Sequence, residues 1–458
     1  MRKSRKEVFS MNKTNPRTDL LSNAPVPKAL LAMGLPTMLG MMISALYNLV
    51  DAYFVGGLGT SRMGAISVAY PLGQVTVGLG LLFGSGAASV IARALGRGDR
   101  EWAGQAASTA VYGGLAIGGA AIALALLFLE PLLRLLGATD SILPYAMRYA
   151  GIYVAGSLFN VFNVTMNSVV TSEGAAKTSM AAMSTGAVLN MALDPLFIFA
   201  MNMDVTGAAV ATALSQMASS LIYLRYIFCG RSLFAFSARQ CRFTGKMLSP
   251  ILAIGVPALV FQLLSGLVIS LTNAQAAPYG DSVIAGMGAV NRVTSLGTLM
   301  VFGFIKGFQP IAGYSYGAGD YARMREATRT AILWTTAFCA ALGLAMLIFP
   351  ENVISLFTKA DRAMIRAGAR ALRANGLSVL LFGFYTVYSS LFLALGKAKE
   401  GLFLGACRQG LCFAPMIWLL PALWGMDGVL YAQPAADAMA ALIAGAMAAR
   451  LSRQLKRV

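Results

Sequence analysis

Along this chain long apolar runs alternate with short polar ones, and the runs are of membrane-crossing length. A helix rises 1.5 Å per residue, so about 20 apolar residues are needed to cross the hydrocarbon of a bilayer. Twelve segments meet that length, at 29–56, 65–92, 106–129, 146–171, 178–200, 205–228, 248–277, 283–310, 328–350, 372–395, 401–423 and 428–449. The polar breaks between them hold Gly, Asp, Arg and Lys, as turns at a membrane surface do. The pattern predicts an all-α polytopic membrane protein.

The pattern also repeats. Gly34-Leu35-Pro36 lies 221 residues before Gly255-Val256-Pro257, and the same offset carries Gly96-Arg97-Gly98-Asp99 to Gly317-Ala318-Gly319-Asp320. Asp140 meets Asp361 and Gly207 meets Gly428 at that offset, while Gly174 and Lys177 meet Gly396 and Lys399 at 222. Six spans separate corresponding points, an even number, so both halves share one orientation and form a parallel repeat. The domains read from this are a basic tail 1–28, an N-lobe 29–228, a linker 229–247, a C-lobe 248–450 and a tail 451–458. Two such lobes with a cleft between them are the plan of an alternating-access transporter. The GRGD turn resembles an adhesion motif, but its repeat partner GAGD makes a helix-ending glycine followed by a polar turn the better reading.

Composition agrees: 57% of the 458 residues are hydrophobic and 12% are charged, about half the share of a soluble domain. The net charge of +18 is unevenly spread. With both termini cytoplasmic, 25 Lys and Arg fall on cytoplasmic segments and eight on external ones, with Arg292, Lys306 and Arg408 inside spans. That is the positive-inside bias rather than a nucleic-acid surface. Loop 351–371 is the exception, with Lys359, Arg362, Arg366 and Arg370 outside. The basic tail fits contact with anionic lipid and lacks the features of a signal peptide. The absence of histidine removes Ser-His catalysis and His-bound metals, and five cysteines without CxxC spacing read as small buried residues. No phosphate-cradling GxxxxGK[ST] occurs, so an ion gradient is the expected energy source, and no enzyme activity and no cofactor are expected.

Ionised groups within hydrocarbon are costly and mark function. Asp51, Asp194 and Asp437 are the acids well inside spans. Asn190 and Asp194, four apart, share a helix face, Pro195 frees a carbonyl beside them, and Thr212 sits among small residues in span six. Spans one to six offer no mid-span Lys or Arg as a partner, so this oxygen-rich set fits H+ or Na+. Asp437 has Arg408, Arg292 and Lys306 within its own half and reads as a structural ion pair. In span four, Ser157, Asn160, Asn163 or Val164, Asn167 and Thr171 form a polar stripe that must face a cavity or another helix. The methionines, 25 in all, are mostly core filler, and some suit an adaptable binding surface.

Pro36, LYNLVDAYFVGGLG, ALGRGD, LNMALDPLFIF and VTGAAVATALSQ together resemble the multidrug and toxic compound extrusion (MATE) family over nearly the whole chain. The resemblance implies a twelve-helix, two-lobed antiporter that expels amphipathic, often cationic drugs or metabolites in exchange for Na+ or H+. It implies that Asp51, Asn190, Asp194 and Thr212 form the cation site, and that Tyr47, Asn163, Asn167 and Met183 face substrate. Some members carry acids in spans seven and ten. Here span seven has Gln262 and span ten has none, while the repeat partners of Asp51 and Asp194 are Thr272 and Pro415. Coupling is therefore expected in the N-lobe, in a monomer of the prokaryotic plasma membrane, with lipid rather than nucleic acid as its surroundings. One alternative is a lipid-linked saccharide flippase of the same superfamily, for which Arg292, Lys306 and Arg408 would supply a basic cleft. Another is an intramembrane aspartyl protease, whose GxGD is replaced here by LNMALDPL.

The charge asymmetry carries a topology prediction. In a background lacking the five native thiols, a cysteine at position 240 is expected to resist an impermeant reagent in intact cells and to react after permeabilisation. Labelling from outside would invert the assignment.

Overall fold

A computed structural model describes residues 16–56, 60–356 and 362–456. Among them there is no strand. A short helix, α1 (Pro16–Ser22), precedes α2 (Val26–Gly56), α3 (Thr60–Gly96), α4 (Arg100–Leu127) and the short α5 (Leu129–Leu135). Then come α6 (Leu143–Ser172), α7 (Ala176–Pro195), which runs on through a π-turn at Leu196–Ala200, and α8 (Asp204–Phe228). The second half holds α9 (Gly245–Ala276), α10 (Asp281–Gly317), α11 (Tyr321–Ile348), the short α12 (Pro350–Ser355) and α13 (Arg362–Ala394). It ends with α14 (Ala398–Ala406), a π-turn at Cys407–Leu411, α15 (Phe413–Trp424) and α16 (Met426–Lys456).

Eleven of these helical segments are long and apolar enough to cross a membrane. The twelfth, α6, has 30 residues, but its asparagines and hydroxyls dilute its hydropathy. Several helices outrun the spans read from sequence. α10 continues to Gly317 and α13 begins at Arg362, because charged residues end a hydropathic run without ending the helix.

The repeat is built into the turns. Gly98 and Gly319 both adopt positive φ (82° and 75°), a left-handed conformation that glycine takes without steric cost. Asp99 and Asp320 then cap the next helices by accepting from the Trp102 and Arg323 N–H groups, each at 2.9 Å. Gly174 and Gly396 make a second matching pair, with φ of 88° and 77°. α5 and α12 also begin at the same offset, each after a phenylalanine at the helix junction. Asp361 and Lys359 lie outside the described residues.

α2–α8 pack as one lobe and α9–α16 as the other, with α9 against α3 and α10 against α2 and α3 between them. The two lobes approach backbone to backbone, as glycine permits. A Cβ on Gly307 would stand 2.4 Å from the Gly34 nitrogen, and one on Gly255 would stand 1.7 Å from the Leu82 carbonyl oxygen. Gly34 and Gly255 are the repeat-related glycines before Pro36 and Pro257, so each lobe offers the same notch to the other. The Thr37 hydroxyl donates to Gly303 O (2.6 Å), Ser89 to Leu393 O (2.6 Å) and Gln262 Nε2 to Gln74 Oε1 (3.0 Å). Apart from the Gln262–Gln74 bond, these contacts lie in the halves of the helices nearest the linker. Toward the opposite face Tyr53 and Tyr70 are exposed.

The linker face is bound by one buried acid. Glu173, fully buried, accepts from Tyr226 Oη (2.8 Å), the Ser232 hydroxyl (3.0 Å) and the Leu233 N–H (2.7 Å). Burial pushes its carboxyl above the usual range, while the Leu233 and Tyr226 bonds pull the other way. Arg17 of α1 donates to Tyr226 Oη and to Arg231 O, and Arg323 of α11 donates to Leu21 O (3.1 Å), so α1 touches both lobes. All five cysteines are free, and Cys339, Cys407 and Cys412 are buried. Of the arginines in segment 351–371 and just beyond it, Arg370 pairs with Asp427 and Arg373 with Glu351 at 3.9 Å, which offsets part of that charge.

In the C-lobe core Asp437 accepts from Arg408 Nε (2.8 Å) and Nη2 (3.0 Å), from Gln433 Nε2 (2.7 Å) and from the Ser378 hydroxyl. The guanidinium also lies over the Phe382 ring, 4.8 Å from its centre. Of the three basic candidates Arg408 is the partner; Arg292 is exposed on α10 and Lys306 turns to the other lobe.

Two outcomes follow from this packing. Asp437→Asn strands a buried guanidinium, at a cost of about 3–5 kcal/mol. It should lower the melting temperature, and Arg408→Gln added to it should recover part of the loss; strict additivity in the double-mutant cycle would refute the pairing. Gly255→Val should destabilise the closed seam by about 1–3 kcal/mol through overpacking. Gly119→Val, where a Cβ meets nothing within 4 Å, should melt as wild type does.

Candidate ion-coupling and substrate site

The N-lobe gathers its polar groups where α2, α7 and α8 meet. Asn190 and Asp194 stand one turn apart on α7, both buried. With its amide oriented to match every partner, Asn190 donates to Asp194 Oδ2 (2.9 Å) and accepts from the Thr212 N–H (3.3 Å) of α8. The Thr212 hydroxyl donates back to Ala208 O (3.0 Å). From α2, Asp51 brings its carboxyl against that of Asp194. The structure thus joins the four residues that the sequence singled out.

Two features limit what this cluster can do. Asp194 Oδ1 is buried and meets no hydrogen-bond donor among the described residues, and neither acid forms an ion pair with Lys or Arg there. A carboxylate oxygen held this way is open to a proton or a cation. Among the described residues no group of three or more His, Cys, Asp or Glu could hold a metal ion. Two carboxyls, one amide and one hydroxyl suit a proton or a monovalent hard cation better than a transition metal.

Around Asp51 stand Tyr47, which the resemblance had already singled out, and two tyrosines that the sequence reading passed over. Tyr47, Tyr149 and Tyr153 lie within electrostatic reach of it, and the rings of Tyr149 and Tyr153 stack 5.4 Å apart. These two tyrosines extend the polar stripe of α6 backwards in steps of four, from Ser157 to Tyr153 and Tyr149. That spacing was the available signal.

The stripe itself faces helices. Asn160 Nδ2 reaches Thr76 Oγ1 of α3 at 3.5 Å. Asn163 donates to Gln216 O and Oε1 of α8, each at 2.8 Å, and accepts from the Ser220 hydroxyl (2.8 Å). Asn167 donates to the Ser179 hydroxyl, to Met183 Sδ (3.1 Å) and to Tyr223 Oη (3.4 Å). Its carbonyl oxygen accepts from Lys306 Nζ of the C-lobe at 3.0 Å. Asn163 and Asn167 are thus buried in polar helix contacts, while Tyr47 and Met183 are partly exposed. Gln216, Ser179, Tyr223 and Lys306 complete this hub; of the four, the sequence reading had named only Lys306, as part of the basic cleft of the flippase alternative. In the C-lobe Gln262 bonds across the seam to Gln74, and the Thr272 hydroxyl folds back on Val268 O (2.8 Å). Neither sits in a carboxylate cluster.

Known proteins match this chain over most of its length. The family model MatE matches twice, over residues 36–196 and 257–419, so its copies begin at Pro36 and Pro257. A multidrug export protein, MepA, of Staphylococcus aureus is 29% identical over 422 residues, covering 92% of this chain and 93% of its own. MepA of Staphylococcus saprophyticus is 29% identical over 418 residues, or 91% and 92%. A solved outward-facing conformation of a multidrug resistance MATE family transporter superposes with a TM-score of 0.92 at 27% identity, covering 98% of this chain and 100% of that one. A MATE structure in the bent conformation gives 0.90 at 27% identity, over 97% and 99%. With the family model spanning most of the sequence in two copies, this chain belongs to the MatE family of multi-pass membrane transporters.

Proposed function

We propose that the chain is a cation-coupled multidrug antiporter, which exports amphipathic, often cationic compounds by alternating access in exchange for H+ or Na+. One observation carries this reading: Asp51 and Asp194 meet in the N-lobe with Asn190 and Thr212, and Asp194 keeps an oxygen without a donor. The names of the MepA relatives support the drug-exporting half of it.

Neutralised by a cation or by protons, the carboxyl pair lets α2, α7 and α8 pack closely, which disfavours substrate. Emptied, the pair carries charge into a low-dielectric lobe and draws in water and cationic substrate. Drug and ion then favour different states of one lobe, and their coupling is reciprocal. The moving bodies are the N-lobe 29–228 and the C-lobe 248–450, joined by 229–247, in a monomer of the bacterial plasma membrane. The termini and linker face the cytoplasm and the basic tail meets anionic lipid. The cleft is closed on the linker side by the glycine seam, the arrangement of an outward-facing state.

Asp51→Asn and Asp194→Asn are each expected to reduce gradient-driven efflux to the level of empty proteoliposomes while leaving insertion and folding intact. Gln262→Ala and Thr272→Ala should keep most of it. Transport by Asp51→Asn protein at the wild-type rate, under both imposed Na+ and imposed pH gradients, would overturn the mechanism.

A further inference from the structure

In the topology proposed above, segment 351–371 is the exception to the charge bias, and its arginines gather on one helix face. Arg362, Arg366, Arg370 and Arg373 of α13 follow steps of four, four and three, so they share a side, and all of them are exposed. Further along, the same side exposes Leu377 and Leu381 instead. α13 ends at Ala394 toward the linker, and about 20 residues cross the hydrocarbon. Counting back from Ala394 puts Arg373 at the far hydrocarbon edge and Arg370 one turn out, among headgroups. Two acids face this stripe: Asp427 pairs with Arg370, and Glu351 stands 3.9 Å from Arg373. Arg362 and Arg366 form no ion pair among the described residues, so the face keeps a surplus of positive charge.

Arg370 and Arg373 line a recess of about 730 Å³, together with Trp424 at the end of α15 and Asp427 and Tyr431 at the start of α16. Trp424 is exposed, as are Trp418 and Leu423 on the same helix. Indoles at the level where a helix leaves the hydrocarbon mark a surface that meets lipid. The recess belongs to the C-lobe alone. Asp204 and Gly425, 221 residues apart, share a φ of 57°, which fixes the register of the repeat at this point. At that offset Met203, Thr206 and Val210 stand where the C-lobe has Trp424, Asp427 and Tyr431. At the offset of 222 that relates Gly174 to Gly396, Arg148 answers Arg370, but Gly151 answers Arg373. The feature is therefore no inheritance of the two-lobed plan.

We propose that Arg370 and Arg373, with Trp424 and Tyr431, bind the phosphate of an anionic phospholipid in the leaflet opposite the linker. The inference goes beyond the antiport reading and needs only a chain that spans a membrane. Guanidinium groups present forked donors that match two phosphate oxygens, and the indole N–H and the phenol O–H are further donors. Exposed ion pairs hold weakly, so Asp427 and Glu351 leave room for a stronger partner. A phosphate brings the negative charge that the face lacks. The occupant is a lipid rather than a free anion because the recess sits at the hydrocarbon edge. Acyl chains can run down from it beside Leu377, Leu381, Trp418 and Leu423, all exposed. A zwitterionic lipid carries the same phosphate, but its ammonium meets the surplus arginines as a like charge. The site therefore selects for net negative charge.

The test titrates the purified chain in neutral detergent with phosphatidylglycerol or with phosphatidylcholine and counts bound lipids by native mass spectrometry. The wild type should hold one phosphatidylglycerol roughly tenfold or more tightly than phosphatidylcholine, and Arg370→Gln/Arg373→Gln should lose that preference. Arg450→Gln/Arg453→Gln, which removes two exposed arginines from the other end of α16, should keep it. Equal losses in the two double variants would make the attraction a matter of net charge and overturn the site. So would a wild type without preference between the two lipids. A large excess of inorganic phosphate should leave the lipid in place; displacement would make this a site for free anions and overturn the lipid assignment. If the double variant does not assemble, Arg373→Gln, which gives up only the 3.9 Å contact with Glu351, is decided by the same ratio of the two affinities. Efflux does not enter the readout, so failure of the antiport reading and failure of this site are told apart.

Discussion

Hydrocarbon cannot hydrogen-bond, and that constraint organises this molecule. Every backbone group within the membrane must be satisfied by the protein, which leaves helices as the solution for a chain of this kind. Every polar side chain must find a partner between helices or face a wet cleft. The two lobes meet that demand differently. In the C-lobe, Asp437 is saturated by Arg408, Gln433 and Ser378, and its charge is cancelled in place. In the N-lobe, Asp194 is held by Asn190 and faced by a second acid, and one of its oxygens is left without a donor. A saturated ion pair holds its helices fixed, whereas an unsaturated carboxyl pair changes state with whatever neutralises it. The repeat supplies two similar scaffolds, and they hold their buried acids in different ways.

Between those scaffolds the same constraint selects backbone contact over side-chain pairing. Gly34 against Gly307 and Gly255 against Leu82 bring helices together with no side chain interposed. Such contacts strand no charge when they part. The alternating access proposed above, in which lobes separate and rejoin, is well served by a seam that leaves few polar groups unsatisfied in the open state.

Much of this was legible from the residue pattern. Twelve spans, the 221-residue repeat and the shared face of Asn190 and Asp194 all follow from periodicities that the structure reproduces to within a few residues at most ends. The Asp437–Arg408 pair was legible as well, because both residues sit inside the hydrocarbon and need one another. What escaped were contacts between distant segments. Lys306 reaches Asn167 across 139 residues, and Tyr226 reaches Glu173 across 53. No periodicity encodes such meetings, which depend on how whole helices cross. Helix ends escaped for another reason: hydropathy marks where hydrocarbon stops, while α10 and α13 carry on into the polar layer.

The meeting of Asp51 with Asp194 also sets a thermodynamic ceiling on the proposed exchange. One carboxyl pair can release at most two elementary charges in a cycle. Moving one charge through 100 mV is worth about 2.3 kcal/mol, and each tenfold concentration ratio costs about 1.4 kcal/mol. Two protons entering for one monovalent cation leaving move a single net charge, so 100 mV alone sustains a ratio of roughly 40-fold by that arithmetic. A substrate of zero net charge leaves against two charges, and the same voltage then sustains roughly 2,000-fold. The charge on the cargo thus decides how far the cell can be emptied of it.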